Sequence, residues 1–284
     1  MLSTTSIGGR QFRWGERTYV MGVINVTPDS FSGDGLGYEV DAAIEQALRF
    51  EAEGADILDV GGESTRPPGR IYGKGATHLS EEEELRRVIP TIERITKEAK
   101  IPVSIDTYKA SVALRALEAG AAMVNDVWAL QADPFMAEVV ANAKVAVVLM
   151  HNQPGTRYEN LIPNVISGLD ERMKTALKAG IPEKNIILDP GIGFGKNPGQ
   201  NVEILQRFDA LKVLGRPLLV GTSRKSVIGE VLGLPVDQRL EGTAATIALA
   251  IAKGVDMVRV HDVREIVRVV RMSDAIVRGW NPSR

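Results

Sequence analysis

An acid closes an apolar run at Asp189, where Ile186-Ile187-Leu188 gives way to Pro190-Gly191-Ile192-Gly193-Phe194-Gly195-Lys196. Three aliphatic residues read as a buried parallel strand. Pro190 stops it from continuing as a central ladder member, and the glycines let the backbone turn sharply and approach a ligand. Taken alone, Asp189 suits equally a solvated cap on a strand-to-helix turn. Two phosphate motifs are excluded. Walker A fails because Pro190 stands five before Gly195 and Asn197 follows Lys196. The dinucleotide fingerprint fails because Lys196 occupies its third glycine. The same succession of strand, polar residue and loop recurs at Asn25, Glu63-Ser64-Thr65-Arg66, Asp106, Asn125, Met150-His151, Lys225 and Arg259 with His261.

These residue types divide by chemistry. Asp106, Asn125 and Asp189 suit a flat heterocycle with a guanidine-like edge. Asp189 can accept two parallel charge-assisted bonds from a ring N–H and an exocyclic amine. Asn125 can donate and accept at once, and Lys225 can donate to a ring nitrogen or carbonyl. The rest suit an anion. Arg259 and His261 lie two apart on a strand and so share a face. Residues 223–226 open a helix, where free N–H groups bind carboxylate or phosphate. Thr65 and Arg66 add a hydroxyl and a guanidinium. Asn25 offers one oxygen to a hard metal such as Mg2+, which takes few protein ligands. No Ser–His–Asp triad is apparent. His78 reads as a solvated loop residue and Met150 as a pocket wall.

The elements that must position these groups alternate. Strands are expected at 19–24, 56–60, 103–105, 123–124, 145–150, 186–188, 217–220 and 257–260. Helices are expected at 39–53, from Ser80, at 109–119, 134–142 and 165–179, from near Gln200, at 238–253 and 263–277. Ser80 caps its helix, and Glu81-Glu82-Glu83-Glu84 reads as a first turn favourable to the macrodipole rather than a metal site. Alternating strands and helices imply a parallel sheet with helices outside. Eight such units fit a single-domain (β/α)8 barrel of the TIM type over residues 18–284, with a hairpin-like extension at 1–17 closing its bottom. A doubly wound sheet is the runner-up. In a barrel the active site lies at the C-terminal strand ends, where the polar residues above fall.

Composition narrows the function. The chain has 284 residues, 44% hydrophobic and 25% charged, with net charge −2. That balance leaves no electrostatic footprint for nucleic acid. The absence of cysteine excludes disulfides and thiolate chemistry and fits a reducing compartment. No apolar run approaches the roughly 18 residues that span a bilayer, and the N-terminus lacks a signal-peptide core. A cytoplasmic protein is expected.

The residues also carry a resemblance. Gly22-Val23-Ile24-Asn25-Val26-Thr27-Pro28-Asp29-Ser30-Phe31-Ser32, Asp59-Val60-Gly61-Gly62-Glu63-Ser64-Thr65-Arg66-Pro67, Ser104-Ile105-Asp106-Thr107, Val124-Asn125-Asp126, the Asp189 loop, Gly221-Thr222-Ser223-Arg224-Lys225-Ser226 and Arg259-Val260-His261-Asp262 occur in order. Together they resemble dihydropteroate synthases over nearly the whole chain. The resemblance implies condensation of a 7,8-dihydropterin pyrophosphate with 4-aminobenzoate, with Mg2+ and an SN1-like loss of pyrophosphate, in folate biosynthesis. It implies that Asp106, Asn125, Asp189, Lys225 and Met150 hold the pterin, and that Thr65, Arg66, Arg259 and His261 hold the pyrophosphate. Phe31, Thr65, Pro67, Phe194 and Ser226 would meet 4-aminobenzoate, the sulfonamide-competing substrate, and Asn25 the metal. Arg259, His261, Lys225 and Asp106 would carry the catalysis. The loops 26–37 and 64–66 would close over the intermediate.

Two loops depart from the family pattern. Pro67-Pro68-Gly69-Arg70-Ile71-Tyr72-Gly73-Lys74-Gly75 is longer, and Ser32-Gly33-Asp34-Gly35 replaces the commoner Ser-Asp-Gly-Gly. A non-catalytic pterin-binding paralogue and a corrinoid-linked methyltransferase are the alternatives. The family is commonly a homodimer, and Ile266, Val269, Val270 and Ile276 suit either that interface or the barrel core.

Overall fold

Along strand β3 (Tyr19–Asn25) alternate side chains enter two separate cores. Val20 and Ile24 belong to the larger one, between strands and helices, while Tyr19 and Met21 belong to a second one inside the sheet. A strand buried on both faces needs a closed parallel sheet with helices around it. A computed structural model of the chain shows that arrangement and describes residues 2–26, 36–63 and 79–280, the side chains of 36–39 excepted. After a hairpin of β1 (Thr5–Ile7) and β2 (Arg10–Phe12) comes β3, then α1 (Leu36–Glu53), β4 (Ile57–Gly61), α2 (Glu81–Glu98), β5 (Val103–Asp106) and α3 (Ala110–Glu118). The chain continues through β6 (Met123–Asp126), α4 (Met136–Ala143), β7 (Ala146–Met150), α5 (Leu161–Lys178), β8 (Ile186–Asp189) and α6 (Pro198–Gln206). It ends with β9 (Leu219–Val220), α7 (Ser226–Leu232), α8 (Leu240–Ala252), β10 (Met257–Val260) and α9 (Val263–Arg278).

The eight-stranded sheet runs β8-β7-β6-β5-β4-β3-β10-β9. Its ends meet through one parallel bridge, Leu188 to Leu218, and a Leu188 N–H bond to the Pro217 carbonyl at 2.9 Å. The expected barrel is therefore present, and the doubly wound alternative falls. Register then stacks the interior in layers. Tyr19, Met21, Ile57, Met123, Ala146, Val148, Ile187, Leu219 and Met257 fill the lower part. One step higher come Asp59 opposite Ser104, Asp106 opposite Asn125, Met150 opposite Asp189, and Arg259 opposite Met21.

The hairpin plugs the bottom. Ile7, Phe12 and Trp14 join the interior cluster, and the Phe12 ring lies 4.7 Å from that of Tyr19. The Trp14 indole N–H, which burial would otherwise leave unpaired, donates to Thr5 Oγ1 at 2.8 Å. Phe12→Ala should therefore cost about 3–5 kcal/mol, a large cavity at a site far from the strand ends. Urea unfolding measures it, and a loss below about 1 kcal/mol would show that the plug is not part of the cooperative core.

The helix expectations hold with local adjustments. Ser80 caps α2 by accepting from the Glu83 N–H at 3.2 Å. Helix α5 begins a turn earlier than expected because Pro163 falls in its first turn, where a missing N–H costs nothing. Among the positions considered for a subunit interface, Ile266 and Val270 are buried core and Val269 is half-buried; Ile276 is exposed. Among the described residues no helix is long and apolar enough to cross a membrane.

Candidate functional site

Above the apolar layers the barrel interior becomes charged. Asp59, fully buried, accepts on Oδ2 from Asn125 Nδ2 at 3.0 Å and from Arg259 Nε at 2.6 Å. Arg259 Nη2 reaches Asp106 Oδ2 at 2.6 Å. Four strands, β4, β5, β6 and β10, thus meet in one network. It is incompletely satisfied: among the described residues, Asp59 Oδ1, Asp106 Oδ1 and Ser104 Oγ are buried without a hydrogen-bond partner. Such orphaned acceptors are costly in a folded chain and are what N–H groups of a bound ligand would satisfy. Burial pushes the Asp106 carboxyl up to about 7, with Arg259 pulling against it and Asp59 adding to it. Burial opposes the Arg259 charge, but Asp59 and Asp106 outweigh that and raise it further.

The opposite wall is the Asp189 loop. Asp189 Oδ1 accepts from the Gly191 N–H at 2.7 Å, which leaves Oδ2 outside the turn. Lys196 organises the loop from beneath. Its Nζ donates to the carbonyls of Phe194 at 2.8 Å, Gly191 at 3.1 Å and His151 at 3.2 Å, and faces His151 Nδ1 at 3.1 Å. Burial, then the neighbouring charges of Lys196 and Arg172, push His151 down to about 3, so the ring is neutral and Nδ1 can accept. Burial likewise pushes Lys196 down to about 7. Lys225 closes the wall: its Nζ donates to the Ile192 carbonyl and lies 4.8 Å from the Phe194 ring centroid. Burial pushes Lys225 down to about 8, against the pull of Asp189. Lys225 also feels Arg259 and Asp106, so the two walls share one electrostatic space.

Gly191 is the tightest point of this wall. Its φ is +71°, and a Cβ there would sit 2.1 Å from the His151 carbonyl oxygen. Gly191→Ala should therefore cost more than about 1 kcal/mol of stability and misplace Asp189. Thermal unfolding checks the first effect and ligand titration the second; a variant with native melting and native affinity would overturn the assignment.

The remaining expected residues sort as follows. His261 pairs with Ser223, its N–H donating to Oγ at 3.2 Å and its Nδ1 lying 3.0 Å from the same oxygen. Met150 is buried opposite Asp189, Phe194 is half-buried, Ser226 is half-buried at the first turn of α7, and Asn25 is half-buried at the end of β3. Phe31, Thr65, Arg66 and Pro67, with most of the loops 26–37 and 64–78 and with His78, lie outside the described residues. The sequence reading missed Asp59, which stands one layer below the strand end. It also missed the second role of Glu84, which is buried and pairs with Lys109 at 2.5 Å rather than only opening a solvated helix. Lys109 in turn holds Glu63 Oε2 at 2.5 Å and the Leu79 carbonyl at 2.8 Å, and the Tyr108 hydroxyl donates to Glu63 at 2.9 Å.

A family model described as pterin binding enzyme matches residues 21–261. A dihydropteroate synthase of Bacillus subtilis is 52% identical over 262 residues, covering 92% of this chain and 90% of that protein. A solved dihydropteroate synthase from Clostridium difficile, in the presence of pteroic acid, is 50% identical and superposes with a TM-score of 0.89, covering 94% of this chain and 99% of that one. A Xanthomonas albilineans dihydropteroate synthase with 4-aminobenzoic acid is 43% identical, with a TM-score of 0.91 and coverage of 97% and 98%.

Proposed function

The chain belongs to the dihydropteroate synthases among the pterin binding enzymes, and on that premise we propose the following reaction and division of labour. A 6-hydroxymethyl-7,8-dihydropterin pyrophosphate and 4-aminobenzoate become 7,8-dihydropteroate and pyrophosphate. The observation that carries the reading is the pair of orphaned carboxylate oxygens, Asp59 Oδ1 and Asp106 Oδ1, beside Asn125 at the top of the barrel. They offer acceptors to the N–H edge of a flat ring from one side, while Asp189 Oδ2 offers one from the other. Lys225 donates to the ring's carbonyl or nitrogen.

The methylene C–O bond breaks first, and its electron pair leaves with pyrophosphate. Two carboxylates share one guanidinium in the floor, so a net negative field faces the cationic methylene, an electrostatic effect of the kind that dominates many rate enhancements. The arylamine nitrogen then gives its lone pair to that carbon and loses a proton. Arg259, whose Nη1 takes part in neither ion pair, and His261 are assigned to the leaving pyrophosphate. Phe194 and Ser226, with Phe31, Thr65 and Pro67 from the two outer loops, are assigned to 4-aminobenzoate.

The donor set suits Mg2+ in one way only. Among the described residues no group of three or more His, Cys, Asp or Glu side chains forms a metal site. Asn25 would supply one amide oxygen, with pyrophosphate and water completing the shell, as Mg2+ tolerates. When bound, the ion would neutralise charge on the leaving group. Exposed Leu249 on α8 and Met272 and Ile276 on α9 support a homodimer through these helices. Ile276→Asp should then halve the mass seen by light scattering at constant melting temperature; an unchanged mass removes this face from the interface.

The deciding assay follows pyrophosphate and dihydropteroate together, with Mg2+, with and without 4-aminobenzoate. Equal yields of both products establish the reaction. Dihydropterin binding without condensation would make the chain a binding paralogue, and methyl transfer from a methylated folate to a corrinoid would overturn the reading.

A further inference from the structure

Arg239 is 4% exposed, and among the described residues its guanidinium donates only to carbonyl oxygens. Nη1 reaches the carbonyls of Arg224 at 3.0 Å and Lys225 at 3.3 Å, just before α7. Nε and Nη2 both reach the Leu234 carbonyl at 3.1 Å, just after it. The side chain therefore spans the seven-residue helix from end to end. It crosses at Gly229, where an added Cβ would lie 2.3 Å from Nη2 and 2.5 Å from Cζ. A cation is favoured beside the carbonyls of a helix C-terminus. Only a planar, forked cation can serve both ends at once.

What lies at the front end is strained. Arg224 has φ +59°, a left-handed conformation that a side chain with a Cβ avoids unless its surroundings over-determine it. Here they do. The Arg224 N–H donates to Thr243 Oγ1 at 3.2 Å, its side chain pairs with Asp262, and its carbonyl is held by Arg239. The residue after this kink is Lys225, whose ammonium meets Ile192 and Phe194 in the pocket.

We propose that Arg239 is a positioning residue for the pterin site: laid across Gly229, it fixes the backbone of Arg224 and Lys225 so that the Lys225 ammonium enters the pocket. The proposal rests on the pterin role assigned to Lys225 above. A simpler reading makes Arg239 a fold-stabilising contact alone. The two differ at Gly229. If Arg239 only stabilises the fold, Gly229→Ala, whose Cβ would lie 2.3 Å from Nη2, should lower the melting temperature and leave binding alone. If Arg239 positions Lys225, the methyl pushes the guanidinium off its seat and binding suffers.

The test uses the full chain with Gly229→Ala, Arg239→Lys, Arg239→Ala and Lys225→Met. Affinity for the dihydropterin pyrophosphate is measured by calorimetry beside the melting temperature and near-ultraviolet circular dichroism. Misplacement of a binding group costs about ten- to a hundredfold, and that loss is expected for Gly229→Ala and Arg239→Lys with native dichroism. Millimolar guanidinium should restore much of the affinity of Arg239→Ala, and ammonium should not. Native affinity in folded Gly229→Ala overturns the proposal, as does equal rescue by ammonium. If an Arg239 variant does not fold, Gly229→Ala decides alone. If Lys225→Met binds as the wild type does, the pterin role of Lys225 falls, and the proposal with it.

Discussion

Asp189→Asn is expected to weaken dihydropterin binding about a hundredfold or more, while the ligand-free protein melts higher than the wild type. Both halves follow from the same carboxylate. Asn retains an acceptor for the Gly191 N–H, so the turn that Asp189 holds at 2.7 Å survives. It replaces the second carboxylate oxygen by an N–H2 group facing ligand N–H groups. A hydrogen bond to a charged group contributes about 1.5–3 kcal/mol, and the buried donors left facing each other add to the loss. The stability gain comes from linkage. Burial raises the Asp189 carboxyl above its ordinary 3.8. The folded state then holds the proton more tightly than the unfolded one, so stability is lost as pH rises from about 4 through the folded value. Asn carries no such penalty, and its advantage over the wild type should grow with pH across that window. Calorimetric titration gives the first result and melting curves at several pH values the second. Affinity within about threefold of the wild type would remove Asp189 from the ring edge. A lower melting temperature at neutral pH would mean that the carboxylate is compensated in the empty site after all.

The barrel was legible because two signals agreed at every unit: short apolar runs too brief for helices, and helical stripes such as Val40, Ala43, Ile44 and Ala47 between them. The strand ends were legible because that topology puts chemistry there, which brought Asp106, Asn125, Asp189, Lys225 and Arg259 to one place. Asp59 was not legible as a site residue. In Ile57-Leu58-Asp59-Val60 it is one acid in an apolar strand, and its burial is offset by Asn125 and by Arg259, which arrives from 200 residues away. Glu84 hid inside an acidic run whose helix-capping explanation was already sufficient. Arg239 stood in Asp237-Gln238-Arg239-Leu240, which reads as the ordinary first turn of the helix expected from 238. Its carbonyl partners belong to two other turns, and backbone acceptors leave no mark in a sequence. The pattern is physical: periodicity reports which face an element buries, whereas a buried charge is explained by partners that only the closed barrel brings together.

Arg259→Met should be the most damaging single substitution at the site for stability. Arg259 is the counter-ion common to Asp59 and Asp106, each paired at 2.6 Å. Removing one member of a buried ion pair costs about 3–5 kcal/mol, because the other charge is left uncompensated, and here two are left. The loss should depend on pH in a definite sense. Burial already pushes the Asp106 carboxyl up to about 7, even with Arg259 pulling against it. Without Arg259 its folded value must rise further above the unfolded 3.8, so the folded variant binds protons that the unfolded chain releases. Stability then falls as pH rises above about 4, and the deficit relative to the wild type shrinks on acidification. Asp59→Asn in the Arg259→Met background should recover part of the deficit above neutral pH, since neighbouring buried charges do not act additively. In folded protein at the acidic end, pyrophosphate release should be slowed more than dihydropterin affinity is weakened, because the leaving group is what gains charge in the transition state. Denaturant titrations across pH test the first claim. A pH-independent deficit would mean that Asp106 stays ionised without its partner. Equal modest losses in release and affinity would confine Arg259 to holding the two acids, and the pyrophosphate would need another cation.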